Sequence, residues 1–347
     1  MGEKKIGRLN QVIILALLLG LFLSACGGET PAVNPVDITE TQAAATAAPT
    51  DTPQPTPTLA PARVVLVTAG MDEVMHADLL AALNELSSSD SLTVEEAPEL
   101  TSGMVQPDWR TVIAYNAGDA LNEAVAANPA VQFIVYSDQE LAPAANLNVI
   151  RVRRDKQAFL AGYVSTVITY DWRVGGLFSP DPAGDQEEQA FINGGEYLCG
   201  LCNPYYAPLV LFPISARVSS TADTATWQTE VDTLLGNILY TVYVSPASQS
   251  PALLEALAQR GVTLVGTGTA PENIKDRWAA SVVLDYTTPL REMWPTVLAG
   301  QGGQALETSI ALAYINEEVV TVGKQRLIEN VIQELDGGWL DPMDPAE

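Results

Sequence analysis

From Arg63 onward the chain alternates short β-branched runs with helical patterns, and this alternation restricts its fold more than any other feature. RVVLVT at 63–68 is a continuous β-branched run, as expected for a strand covered on both faces. Repeated βα units predict parallel sheets with right-handed crossovers. The units are too many for one small sheet and lack the eightfold regularity of a barrel. We therefore expect an α/β protein with two Rossmann-like lobes and a cleft between them.

The predicted strands are the β-branched and apolar runs that separate the helical patterns. They cover 63–68, 92–97, 110–116, 131–138, 147–152, 173–178, 209–215, 238–244, 262–267, 281–286 and 308–316. The helix before the strand at 173–178 has an apolar stripe at i, i+4 spacing, and its other face carries small residues such as Ala161, Gly162 and Ser165. We expect a second element to pack closely along this small face. Phe178, at the end of the strand, is expected to face the cleft.

Residues 1–25 have the pattern of a lipoprotein signal peptide, with Lys4, Lys5 and Arg8 before a short apolar core. The segment ends in LSACG at 23–27, which resembles the bacterial lipobox and implies that Cys26 carries a diacylglycerol anchor. The alternative is an ordinary signal peptide with a chance cysteine. Residues 26–61 are rich in Thr, Ala and Pro and are expected to form a disordered tether. We therefore expect a protein anchored to the cell membrane on its extracytoplasmic face.

Charge and composition argue against several functional classes. The net charge of −25 repels phosphate backbones, so we expect no nucleic-acid partner. His76 is the only histidine, and one histidine does not supply a metal cluster or a catalytic triad. The glycines in Gly-Thr-Gly at 266–268 lack the rest of a dinucleotide fingerprint. We expect no catalytic residue, no metal and no cofactor, and we do not expect an enzyme.

Cys199 and Cys202 are the only cysteines that remain once Cys26 is lipidated. Outside the cytoplasm, the simplest interpretation is a local disulfide that pins the following loop. A redox pair would place its first cysteine at a helix start, whereas Cys199 follows a helical pattern. We predict no free thiols, and Tyr197, Tyr205 and Tyr206 are candidates for covering the disulfide loop.

Candidate ligand-binding residues follow the ends of the predicted strands, where clefts of α/β sheets lie. They are Met71, Asp72, Tyr115, Asn116, Ser137, Asp138, Phe178, Ser179, Asp181, Ser245, Gln249, Thr267 and Asp285. Aromatic side chains there can stack on a flat ligand, and carboxylates can hold hydroxyl groups or a cation. For any one of them, a solvated loop or a helix cap is the alternative role.

The order of several stretches resembles a known family. They are AVAANPAVQFIVYSD at 124–138, LNVIRV at 147–152, AFLAGYVSTVITYDWRVGGLF at 158–178, SVVLDYTTPLREMWPTVLAGQ at 281–301 and RLIENVIQELDGGWLDP at 326–342. In this order they resemble the basic membrane protein family of lipoproteins, the purine nucleoside receptor A-like solute-binding proteins. The resemblance covers about residues 63–342. It implies the type I periplasmic-binding-protein fold.

The resemblance also implies three crossings between the lobes, near 170–173, 278–281 and 315–322. Lobe one would hold 62–170 plus 281–314, and lobe two would hold 171–280 plus 315–342. Hinge closure around a bound solute would follow.

The sequence departs from this family at two ligand positions. Where the family places a Phe-Asn pair after its acidic pair, this chain has His76 and Ala77 after Asp72 and Glu73. Where the family places an aspartate for ribose hydroxyls, this chain has Gly-Thr-Gly at 266–268. Each loss weakens a site built for nucleosides. The resemblance therefore carries the fold further than the ligand.

Two functions are compatible with these observations. The first is a lipid-anchored solute-binding protein that delivers a small, nucleoside-like solute to the permease and ATPase subunits of an ABC importer. The second is a lipoprotein of the same fold that acts as a ligand sensor or a surface scaffold without transport. In either case we expect a monomer.

Overall fold

The computed structural model describes residues 62–101 and 103–344. The predicted signal peptide, Cys26 and the tether at 26–61 lie outside the described residues. Within the described ranges, no helix combines the length and the apolar composition that crossing a bilayer requires.

The first sheet has six parallel strands in the order β2-β1-β3-β4-β5-β11. The strands are β1 (Arg63–Val67), β2 (Thr93–Ala97), β3 (Trp109–Tyr115), β4 (Gln132–Ser137), β5 (Leu147–Arg151) and β11 (Ala305–Glu307). β4 is buried along its whole length, which agrees with the uninterrupted apolar run that predicted it.

The second sheet also has six strands, in the order β7-β6-β8-β9-β10-β12. They are β6 (Val174–Phe178), β7 (Ile214–Arg217), β8 (Thr241–Val244), β9 (Thr263–Gly266), β10 (Trp278–Asp285) and β12 (Ser309–Ala313). All neighbours pair in parallel except β12, which runs antiparallel to β10. The strand predicted over 308–316 is β12 alone, whereas β11, which precedes it and belongs to the first sheet, was not predicted. The run predicted as a strand at 209–215 forms one only from Ile214.

Eight α-helices connect these strands in the described residues. They are α1 (Glu73–Ser89), α2 (Gly118–Ala127), α3 (Arg154–Ile168), α4 (Pro182–Cys199), α5 (Thr224–Leu235), α6 (Pro251–Gln259), α7 (Thr287–Leu298) and α8 (Val322–Asp336). The two sheets and their helices confirm the predicted α/β architecture of two lobes.

The chain crosses between the lobes three times, as predicted, but at other places. It leaves the first sheet after Arg151 and enters α3, which packs on α4, β8 and β10 of the second lobe. It returns between β10 and α7, because α7 packs on α1 and β3. It crosses last between β11 and β12, at Thr308.

The lobe boundaries therefore differ from the predicted ones. The predicted crossings at 170–173, 278–281 and 315–322 all lie inside the second lobe. Lobe one consists of 62–152 and 287–307, whereas lobe two consists of 153–286 and 309–344. Strand and helix patterns give the order of the elements, but they do not show which sheet a helix covers.

α3 and α4 pack closely through glycine, as the small face of α3 led us to expect. A Cβ atom added to Gly162 would overlap the carbonyl oxygen of Phe191 and lie 2.9 Å from its carbonyl carbon. A Cβ atom on Gly194 would likewise overlap the carbonyl oxygen of Phe159. This approach fixes which face of α4 turns inward.

Candidate ligand-binding cleft

Arg154 lies where the two lobes meet, because it is the first residue of α3 and follows the first crossing directly. Its guanidinium donates to Asp72 Oδ2 of lobe one over 3.1 Å. The other oxygen of Asp72 accepts the backbone N–H of Met75 and caps α1. The Arg154 guanidinium carbon also lies 6.0 Å from the centre of the Tyr115 ring. One side chain of lobe two thus contacts two elements of lobe one.

The first of two cavities between the lobes has a volume of about 230 Å³. Lobe one contributes the start of α1, and lobe two contributes loops after β8, β9 and β10. Its walls are Asp72, Glu73, Val74, Gln157, Pro246, Gln249, Thr267, Leu284 and Tyr286. The Gln249 amide donates to Thr267 Oγ1 over 3.1 Å, which holds two of these polar side chains together.

The second cavity has a volume of about 310 Å³, within the range of small-molecule sites. Lobe one contributes the end of β4 and Arg151, and lobe two contributes the starts of α3 and α4. Its walls are Asp138, Gln139, Arg151, Val152, Arg154, Asp155, Pro182, Ala183, Gln186, Glu187 and Met343. Arg154 therefore lines the second cavity, and its hydrogen-bond partner Asp72 lines the first.

Glu187 is the most unusual residue of this cleft, because it is a carboxylate with only 5% of its surface exposed. Burial raises the pKa of Glu187 to about 7, and the charge of Arg154 and a hydrogen bond from Ser245 oppose that rise. Its Oε2 atom is buried and has no hydrogen-bond partner among the described residues. A buried acceptor without a partner costs free energy, so such atoms are uncommon and often functional.

The first and third crossings lie side by side and are tied together by polar contacts. The backbone N–H of Arg153 donates to Thr308 Oγ1 over 3.0 Å, and the N–H of Thr308 donates to the Arg151 carbonyl over 2.9 Å. Glu307 accepts from Arg153 over 2.6 Å and from Lys156 over 3.2 Å. These bonds hold two adjacent connections together beside the second cavity.

Four of the thirteen candidate residues predicted from the sequence line the two cavities. Asp72, Gln249 and Thr267 lie on the first cavity, and Asp138 lies on the second. Tyr115 lies against Arg154, and its hydroxyl donates to Asp138 Oδ2 over 3.1 Å.

Four further candidates lie near the cleft or in the core. Ser245 is fully buried and contacts Ser248, and it is close enough to Glu187 to bond to it. Asn116 and Ser137 line a separate depression within lobe one, which also includes Asp138. Met71 packs against the hydrophobic core.

The remaining candidates have structural roles. Asp181 caps α4 by accepting the N–H of Gly184, and Asp285 caps α7 by accepting from Thr287 and Thr288. Ser179 is buried, and its carbonyl accepts from Arg217.

Phe178 does not face the cleft, contrary to expectation. It is fully buried, with ring centres 5.4 Å from Phe191 and 5.9 Å from Tyr243. β6 is an interior strand covered on both faces, so its last residue is a core residue.

Several polar residues of the cleft walls were not predicted from the sequence, among them Arg154, Gln157, Glu187 and Tyr286. Arg154 directly follows the first crossing and Tyr286 is the second, and both crossings were predicted at other positions. Gln157 lies one turn into α3, and its amide donates to the Val282 carbonyl over 2.8 Å. Glu187 belongs to the polar run QEEQ at 186–189, which has the pattern of a solvated helix face.

Cys199 and Cys202 lie at the end of α4, with Cα atoms 5.0 Å apart, a separation that disulfides span. The disulfide itself stays a prediction. Tyr205 and Tyr206 are exposed rather than packed over this pair. His76 lies on α1 and contacts Glu96 over 2.6 Å, outside the walls of both cavities.

Solved structures of binding proteins share this fold. An ABC transporter solute-binding protein from Conexibacter woesei is 17% identical, with a TM-score of 0.59 over 81% of this chain and 98% of that one. A solute-binding protein from Aeropyrum pernix is 12% identical, with a TM-score of 0.60 over 81% and 93% of the two chains. A carbohydrate transporter solute-binding protein from Agrobacterium radiobacter, solved with D-arabinose, is 13% identical, with a TM-score of 0.51 over 79% and 100%.

These similarities define the fold as that of the type I periplasmic binding proteins. No protein-family model and no curated protein sequence matches the chain.

Proposed function

We propose that this chain is a lipid-anchored, extracytoplasmic solute-binding protein of an ABC importer. The observation that carries the proposal is a pair of cavities whose walls come from both lobes, one of them lined by Glu187, whose Oε2 atom has no hydrogen-bond partner among the described residues. A site divided between two lobes responds to a ligand, because a solute that contacts both walls stabilises the closed arrangement. The fold shared with solute-binding proteins supports the same role.

Closure follows from the position of the crossings. The three connections at 152–153, 286 and 308 are short, so rotation of one lobe against the other is confined to a few backbone torsions. The bond between Arg154 and Asp72 spans the cleft and breaks when the lobes separate. A solute that contacts both lobes adds to this bond and shifts the population towards closure.

The resemblance to the basic membrane protein family supports nucleosides as one class of solute to test. The residues at the two ligand positions where the chain differs from this family argue for testing other classes of solute as well. His76 is paired with Glu96 outside the cavities. A Cβ atom on Gly266 would overlap the Trp278 ring, so the space beside this position is filled by that ring.

A sensor or scaffold without transport is the second candidate. It is favoured by the presence of the same fold in a transcriptional activator of the comK gene from Bacillus halodurans, at 12% identity and a TM-score of 0.58. Both candidates bind through the lobes, but only the first requires permease and ATPase partners.

The proposal is tested by a thermal-shift screen of the mature protein over nucleosides, bases, sugars and amines. A binding protein gains stability as the ligand concentration rises, by about 2.7 kcal/mol at one hundred times the dissociation constant. No shift with any compound would count against solute binding and favour the scaffold.

The anchor is tested separately. The wild type is expected to incorporate radiolabelled palmitate, and Cys26→Ser is expected to incorporate none. A labelled variant, or an unlabelled wild type, would contradict the lipid anchor at Cys26.

A further inference from the structure

Two residues in the wall of the second cavity, one from each lobe, each have a buried carboxylate oxygen without a hydrogen-bond partner. Six buried side-chain nitrogen or oxygen atoms of the described residues lack a hydrogen-bond partner, and two of them are carboxylate oxygens. These two are Asp138 Oδ1 of lobe one and Glu187 Oε2 of lobe two, and both residues line this cavity. The pair therefore points to a ligand that donates hydrogen bonds.

The charges around the cavity decide which kind of donor fits. Arg154 is matched by Asp72, Arg151 by Glu140 over 3.4 Å, and Asp155 by Arg153 over 2.8 Å. Asp138 receives a bond only from the neutral hydroxyl of Tyr115, and Glu187 has no ion-pair partner within 4 Å among the described residues. Neither Asp138 nor Glu187 therefore forms an ion pair among the described residues, and Arg154, whose charge acts on Glu187, is already paired with Asp72. A neutral hydroxyl would supply donors without balancing the charge of the two carboxylates, whereas a protonated amine supplies both.

We infer that the second cavity binds the protonated amine of a small cationic solute, whose N–H groups bridge Asp138 and Glu187 across the cleft. This inference rests on the proposed function, because it names the chemical class of the solute for the same inter-lobe site. A primary ammonium has three N–H donors, enough to reach one oxygen on each lobe. Because the two oxygens belong to different lobes, the bridge also draws the lobes together.

Glu187 links this binding to pH. The charged groups that act on it are Arg154 on α3, Asp181 at the start of α4 and Asp138 after β4. Burial raises the pKa of Glu187 to about 7, so the carboxyl group is partly protonated near neutral pH when no cation is bound. A bound ammonium stabilises the ionised form. Binding at pH 6.5 therefore releases a proton, and affinity falls as the pH is lowered below 7.

The experiment compares the affinity of the mature protein for two probes of the same length. Putrescine carries two primary ammonium groups, and 1,4-butanediol replaces them with hydroxyls. Isothermal titration calorimetry at pH 7.5 is expected to show binding of putrescine and at least tenfold weaker binding of the diol. Titrations at pH 6.5 in two buffers of different ionisation enthalpy should give different apparent enthalpies, as proton release requires.

Variants locate the site. Glu187→Gln and Asp138→Asn are each expected to weaken putrescine binding about 10- to 100-fold, the usual effect of losing a hydrogen bond to a charged group. Glu187→Gln should also abolish the buffer dependence. Glu188→Gln is the matched control, because Glu188 pairs with Arg217 outside the cavity and its loss should leave binding unchanged.

The outcomes separate this inference from the proposed function. Tight binding of a nucleoside or a sugar, together with putrescine binding that is no tighter than binding of the diol, would overturn the inference that the ligand is an amine. It would leave the proposed solute binding intact. Putrescine binding that is as tight in both Glu187→Gln and Asp138→Asn as in the wild type would overturn the inference that the ammonium bridges these two residues. No binding by any compound of the screen would overturn both proposals.

Discussion

Glu187→Gln has an effect on stability that needs no ligand. The folded state raises the pKa of this carboxyl group from 4.5 to about 7, chiefly by burial. The folded protein therefore holds a proton that the unfolded chain has already released between these two values. Folding is favoured by protonation, so the free energy of unfolding falls as the pH rises through this window. At pH 7 the folded state still holds about half of this proton, and above about pH 8 both states have lost it and the contribution is constant.

The magnitude follows from the size of the pKa change. One unit corresponds to about 1.4 kcal/mol, so stability is expected to fall by about 2–3 kcal/mol between pH 5 and pH 7. The amide of Glu187→Gln does not titrate and lacks this slope. Other carboxylates of the chain titrate in both proteins, so the difference between wild type and variant isolates Glu187.

The assay is urea unfolding of both proteins at half-unit steps from pH 5 to pH 8, with Glu188→Gln as the control. The stability of wild type relative to Glu187→Gln should decline by about 2–3 kcal/mol up to pH 7 and level off by about pH 8. The same comparison with Glu188→Gln should lack this decline. A wild-type to Glu187→Gln difference that is flat with pH, or that rises, would refute the burial of an unpaired Glu187.

Three further predictions concern the frame that holds the cleft. Gly162→Ala should destabilise the protein by about 1–3 kcal/mol, because the added Cβ overlaps the Phe191 carbonyl. The control is Gly323→Ala on α8, which adds its Cβ in open space and should stabilise the protein by about 0.5 kcal/mol. Equal unfolding midpoints for the two variants would contradict the close packing of α3 on α4. Arg173→Met should lower the free energy of unfolding by about 3–5 kcal/mol, because it leaves the buried Asp171 carboxylate without its ion-pair partner. Lys275→Met removes one partner of an exposed ion pair and should lower the free energy of unfolding by less than about 1 kcal/mol. Both values are measured by chemical denaturation. Thiol titration of the oxidised mature protein should find no free thiol, and two would rule out the Cys199–Cys202 disulfide.

The sequence predicted the architecture because the periodicity of apolar residues is a local property. Continuous β-branched runs such as 63–68 favour covered strands, and their alternation with helices favours parallel sheets. The small face of α3 likewise predicted a close neighbour, which is α4. Asp72 and Asp138 were identified because they follow strands, and such positions meet at one edge of a sheet.

The lobe assignment could not be predicted in the same way. α3 has an apolar stripe that would fit either sheet, and only its packing on β8 and β10 places it in lobe two. Arg154 was missed as a consequence, because its role depends on a crossing at 152–153. Glu187 was missed because the QEEQ run is polar on every side, and the contact of Gly194 with Phe159 is what turns this residue inward.

The central claim is that a solute closes the two lobes, and small-angle X-ray scattering tests it most directly. Wild-type protein is measured without ligand and again when saturated with the compound that gives the largest thermal shift. Arg154→Ala, which lacks the inter-lobe bond to Asp72, is measured under the same two conditions. We predict a smaller radius of gyration for the saturated wild type and a weaker contraction for the variant at the same concentration. An unchanged scattering profile at saturation would contradict binding by closure.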